Sequence, residues 1–282
     1  MLLKKINKHF FTLLFLSHIG LSQDYLPSSK ISLTTVFANR DFSPDLIASY
    51  ANQLVFLDRK NHTIGMYSND SLRIVGGYGS SEHSFIDPVD ITIDNLDILI
   101  LDESAGRVSR FDLNLNFIQL YNFISNNPIY PSVFDIDSRR NIYFYSSDDD
   151  VLYRRNNSTQ KAIKFIDYNL NTTSYCLSDM FINKNDQIGI LFDCLDELHI
   201  YSRAGRLQIK HRIDLKNPIK AFFINDDWSI MNSDGQIQFL NGSVFALSIN
   251  RETILDAYLD QNRLLILTKT SIYIFDSSIL SK

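Results

Sequence analysis

From residue 44 onwards the chain is a succession of short apolar runs separated by polar turns. Residues 44–67 (PDLIASYANQLVFLDRKNHTIGMY) and 88–112 (PVDITIDNLDILILDESAGRVSRFD) read alike. Each gives a short strand, a turn, an apolar strand ending in Leu-Asp, a polar loop and a further strand. The same grammar returns at 132–154 and 178–202, and in shortened form at 220–240 and 255–276. Third strands are expected to start at Ile64, Val108, Val151, Leu198, Ile237 and Ile272, giving spacings of 44, 43, 47, 39 and 35 residues. A period near 40–45 residues with several strands per copy is the mark of propeller blades. The second strands, such as Ile98 to Leu101 and Ile188 to Phe192, are almost wholly apolar. That suits strands buried on both faces between stacked sheets.

Fourth strands are expected at Leu72 to Val75, Phe117 to Tyr121, Lys161 to Ile166, Leu207 to Ile213 and Ser243 to Ile249. The sixth copy has none, while Ile31 to Phe37 (ISLTTVF) precedes the first copy as an orphan. Placing that orphan on the outside of the last blade, against Ser271 to Phe275, removes two open sheet edges. The expected fold is therefore all-β: a six-bladed β-propeller with four-stranded blades, closed by an N-terminal strand.

Composition agrees. Among 282 residues there are 28 Asp and 24 Asn against 4 Glu and 9 Ala, a bias towards turn formers and away from helix formers. The first 22 residues read as a signal peptide. Lys4, Lys5 and Lys8 precede an apolar core from Phe10 to Leu16, and Gly20 and Ser22 offer small residues before a cut. Residues 23–282 then form one domain, secreted or periplasmic, with no membrane span. Without the three lysines, 24 basic residues face 32 acidic ones, a net charge of −8. With no basic run to compensate, nucleic acid is a poor partner.

The run FIDPVDITIDNLDILILDESAGRVSRFDLNLNFIQ, residues 85–119, resembles an NHL-type repeat: Pro, an apolar strand, Asp, a second strand ending near Asp, and a third strand. The other copies match less well, and Asn and Asp occupy turns where that family favours Gly. The resemblance implies a propeller that presents surfaces to partners, although some relatives are lyases, lactonases or other hydrolases.

Candidate chemistry lies in the first strands. Four residues before each turn stand Asp45, Asp90, Val133, Asp179, Ala221 and Asp256. Four of these six are carboxylates on the innermost strand, where they would ring the channel mouth. Such a ring could hold a divalent cation such as calcium, or each Asp could cap backbone N–H groups of its own or the next blade. Asp58 and Asp102 end second strands and read as turn stabilisers, and Asp148, Asp149 and Asp150 as a solvated acidic loop. Beyond the signal segment, His62, His83, His199 and His211 fall mostly away from the axis, which argues against zinc chemistry.

The first hairpin of the fourth copy carries Cys176 and Cys194. If Asn183 pairs with Gln187, opposed residue numbers sum to 370, as 176 and 194 do. That register would set the cysteines opposite one another for a disulfide, whereas a slip or bulge would part them.

The leading functional reading is an exported, non-catalytic, monomeric propeller without a cofactor. It would bind a protein, peptide or glycan through loops on one face, with Asp45, Asp90, Asp179 and Asp256 at the channel mouth. The runner-up is a metal-dependent hydrolase or lactonase using those carboxylates, with Asn232 as a neutral ligand.

Overall fold

Continuous apolar second strands become the most buried parts of the molecule. In a computed structural model, every residue of Asp97–Asp102, Ile142–Ser146 and Ile188–Phe192 is buried. The structure describes residues 24–38, 40–123, 129–157, 161–170, 176–250, 252–260, 262–276 and 278. The expected signal segment, 1–22, lies outside these.

Among the described residues the strands form six antiparallel blades of a β-propeller. The second blade shows the plan: Pro88–Asp94 innermost, then Asp97–Asp102, Arg107–Asp112 and Phe117–Asn122 outermost. The innermost strands of the other blades are Leu46–Tyr50, Pro131–Ile136, Leu177–Ile182, Pro218–Ile224 and Ile254–Asp260. The core sits between blades, in a buried apolar cluster at each interface. Leu57, Ile64, Ile98 and Phe111 fill the junction of first and second blades, for example, and Leu198, Ile200, Trp228 and Ile230 that of fourth and fifth. Asn and Asp carry many of the turns in the left-handed conformation, including Asn95, Asp186, Asn225 and Asp226. This is how a chain with 10 glycines makes so many hairpins.

The ring closes through the N-terminal segment, with a correction. Ser29–Ser32 pairs antiparallel with Ser271–Asp276, Ile31 opposite Ile272 and Ser29 opposite Ile274. The strand ends at Ser32, whereas Ile31 to Phe37 was expected to be extended throughout. Leu33–Val36 instead makes a turn of helix. A strand would send alternate side chains to opposite faces, but the helical turn brings Leu33, Val36 and Phe37 to one side. There they fill the junction of sixth and first blades with Phe56 and Leu265. An unforeseen strand, Asp24–Tyr25, adds parallel to Val244–Leu247 as a fifth strand of the fifth blade, burying Tyr25.

Cys176 and Cys194 are joined in a disulfide with Cα atoms 5.9 Å apart, but not through an unbroken register. The sum of 370 holds from Ile182–Ile188 to Asp179–Leu191, and then a bulge sets Leu177 opposite Phe192. A 3₁₀ turn, Asp193–Leu195, swings Cys194 back to its partner.

Candidate functional site

A bulge decides which residues reach the axis. In five blades the first strand gains one residue near its start, between Pro88 and Asp90, Pro131 and Val133, Leu177 and Asp179, Pro218 and Lys220, and Ile254 and Asp256. The first blade has no such bulge, and Leu46 faces Leu57 just as Asp90 faces Leu101. The equivalent positions are therefore Leu46, Asp90, Val133, Asp179, Lys220 and Asp256. Asp45 falls one residue short of the strand and accepts the Arg59 N–H at 3.0 Å, so it is not part of the axial set. In the fifth blade the position belongs to Lys220, not Ala221. Counting back from the turns could not register the extra residue.

Each axial aspartate staples its blade to the next. Asp90 accepts the Phe134 N–H at 3.0 Å, Asp179 the Ala221 N–H at 2.8 Å, and Asp256 the Ile47 N–H at 2.9 Å. Asp135, two residues further along the third blade's strand, does the same for Ile182 at 2.6 Å. Sequence reasoning missed Asp135, although its place two residues past Val133 puts it on the same face of the strand. Lys220 stands among them, its ammonium 3.3 Å from Asp179 Oδ1 and 3.2 Å from Asp256 Oδ1.

These groups line one end of a central cavity of about 280 Å³ bounded by Asp90, Asp135, Asp179 and Lys220. The cavity runs along the first strands to Asp94, Ser138, Asn183 and Lys184, at the face where first strands turn into second strands. Its walls include Ile91, Ile93, Phe134, Phe181, Phe222 and Tyr258. Burial in the ring pushes the Asp90 and Asp135 carboxyls up to about 7, against the pull of the Lys220 charge and backbone hydrogen bonds on Asp90 and of backbone hydrogen bonds on Asp135. Burial raises Asp179 too, opposed first by Lys220. Burial works against charge on Lys220, yet Asp179, Asp256 and Asp90 hold its pKa well above the usual value.

At the cavity's open face the charges are paired. Arg140 meets Asp94 at 2.8 Å and also contacts Asp97, and Ser138 donates its N–H and hydroxyl to Asp186. Lys184 pairs with Asp226 at 2.5 Å. At the other ends of the blades, Asp58 accepts the Ser43 and Asn61 N–H groups, and Asp102 those of Ile86 and Asp87. The acidic loop of the third blade turns inward: Tyr153 donates to Asp149 and Tyr145 to Asp150.

The donors do not fit a metal centre. Among the described residues, the only three His, Cys, Asp or Glu side chains with ligand atoms mutually within 4.8 Å are Cys176, Asp193 and Cys194. Two of these are spent in the disulfide. Asn232 is taken up in its own turn, accepting the Asp234 and Gln236 N–H groups. Of the described histidines, none lines the cavity, and His199 is buried against Glu197 at 2.8 Å.

No family's sequence model matches the chain, and no curated protein does. Solved structures do. A putative gluconolactonase has a TM-score of 0.65 at 10% identity, over 90% of this chain and 94% of its own. Virginiamycin B lyase from Staphylococcus aureus, a catalytically inactive variant with quinupristin, has a TM-score of 0.61 at 13% identity, over 90% and 89%. YCF48 bound to D1 peptide has a TM-score of 0.57 at 8% identity, over 84% and 78%. At such identities the likeness is one of architecture: the chain is a six-bladed β-propeller, and its NHL character stays a resemblance.

Proposed function

We propose that the protein is an exported, non-catalytic propeller that binds a protein, peptide or glycan through the face onto which the central cavity opens. The carrying observation is the engagement of the axial carboxylates. Asp90, Asp179 and Asp256 each hold the backbone of the next blade, and the Lys220 ammonium lies between the last two. A catalytic cation needs several free oxygens converging on one point, and the Lys220 ammonium already occupies the place between Asp179 and Asp256. Variable side chains around the hairpin rim, on a rigid ring, are then the means of recognition. The peptide-bound state of YCF48 supports such a use of the fold. The basic-then-apolar N-terminal segment and the paired cysteines support export to an oxidising compartment.

The metal-dependent hydrolase remains the competing reading, favoured by the fold shared with a putative gluconolactonase. Thermal unfolding with calcium, magnesium or EDTA separates the two. The melting temperature is expected to be the same in all three. A metal-induced rise that disappears in both Asp90→Asn and Asp179→Asn would overturn the scaffold reading.

A further inference from the structure

Four carboxylates, Asp90, Asp135, Asp179 and Asp256, meet one ammonium, Lys220, inside the ring. Lys220 contacts only two of the four. Asp90 and Asp135 each accept two backbone N–H groups, from Ile91 and Phe134 and from Ile136 and Ile182, and among the described residues no cation lies within salt-bridge distance of either. Both border the cavity, and neither Arg140 nor Lys184 at the mouth is free to serve them, being engaged by Asp94 and Asp226. Between the two ends the walls are mostly aliphatic and aromatic, with Thr92 among them.

We infer that the cavity takes an alkylammonium group, with its carbon chain along the apolar wall and its charge directed to Asp90 and Asp135. The inference rests on the reading of this face as a binding surface, and names what enters it. Lys220 is the internal precedent: the ring already holds one alkylammonium at 3.2–3.3 Å from two equivalent aspartates. Each oxygen of Asp90 and Asp135 has one backbone donor and keeps a further lone pair for an arriving N–H group. An anion would meet four carboxyl groups against one ammonium. The raised carboxyls of Asp90 and Asp135 fit the same picture, since an arriving cation stabilises their ionised forms and displaces protons.

The ammonium could belong to a free aliphatic amine or to a lysine side chain of a peptide partner. Isothermal titration of the exported chain with n-butylamine, butan-1-ol and the tripeptide acetyl-Gly-Lys-Gly-amide distinguishes these sources. Both amines are expected to bind and the alcohol not to. Tighter binding of the tripeptide assigns the site to a peptide lysine, and binding of butylamine alone assigns it to a free amine. Asp135→Asn loses the charge and one of the two oxygens that accept backbone N–H groups, and should weaken the amine about tenfold, the loss of roughly 1.4 kcal/mol. Its melting curve reports that the ring is intact. As an independent variant, Lys220→Ala should melt lower, and butylamine should restore part of that loss. Absence of amine binding, equal binding of butanol, or undiminished affinity in a folded Asp135→Asn protein would each overturn the inference. If amines fail to bind while metals and EDTA still leave melting unchanged, the scaffold reading stands and only the ligand class falls.

Discussion

Gly189 sits in the second strand of the fourth blade, and a Cβ there would overlap the ring of Trp228 in the fifth. Trp228 is buried and has nowhere to retreat, with Phe181 and Phe223 packed edge-on against it. Gly189→Ala should therefore cost about 1–3 kcal/mol, the usual range for overpacking a full core. Trp228→Leu in the same chain should recover part of that loss, and a denaturant double-mutant cycle measures the coupling. Without such coupling, the cost would have to come from the strand itself. The sequence marks Ile188 to Phe192 as buried, but nothing in it joins Gly189 to Trp228, because their contact crosses a blade boundary. Turns were more legible: Asn and Asp announce left-handed positions through their own chemistry, as at Asn95 and Asp186. The axial set was half legible. Asp90, Asp179 and Asp256 follow from the repeat, and strand alternation from Val133 points to Asp135, whereas Lys220 depends on a bulge that leaves no local trace.

At the scale of elements, the repeat made the blades readable and the missing sixth outer strand made closure readable. The form of the closing segment was not, because burial between blades, not strand propensity, turns Leu33–Val36 into helix. The closure is also tied by side chains. Lys30 donates to the Tyr273 hydroxyl at 2.8 Å, and Glu252 accepts from Tyr273 at 2.8 Å and from Thr270 at 2.6 Å. Deleting residues 23–38 removes this strand together with the buried Tyr25, Leu33, Val36 and Phe37. Each such side chain contributes about 1.5–3 kcal/mol of burial. The truncated chain should melt well below the full one and lose fifth- and first-blade packing together. A truncated protein with the same melting temperature would show that the ring closes without the segment.

Across the whole molecule, the blades are joined by backbone staples at the axis and by ion pairs at the hairpin rim, and this places ionisable groups where protonation bears on stability. Asp90 and Asp135 titrate near 7 in the folded ring, against about 3.9 for an unperturbed Asp in an unfolded chain. Between those values the native state keeps protons that the unfolded state has released, so stability falls as pH rises from about 4 to 7 and levels off above. Other groups act in the opposite sense, Glu252 and His199 among them. Glu252, held down to about 2 by its hydroxyl donors against the opposing effect of burial, stabilises above its unfolded value and loses that contribution as pH falls towards 2. His199, lowered by burial, costs stability as pH falls through its unfolded value near 6.5. The summed curve is therefore a poor test, and a difference between two proteins is a good one. Asp135→Asn removes one rising carboxyl and leaves Glu252 and His199 in place. At pH 5 the protonated Asp135 and the amide are both neutral, and the backbone acceptor that the amide lacks costs the same at every pH; at pH 8 the wild-type carboxylate is ionised among Asp90 and Asp179 and the amide is not. The variant should gain on the wild type between pH 5 and 8 by on the order of 1–2 kcal/mol, after allowing for screening by water in the cavity. Urea unfolding of both proteins at pH 5, 6, 7 and 8 measures the gap, and parallel curves would mean that Asp135 ionises in the folded ring as freely as in the unfolded chain.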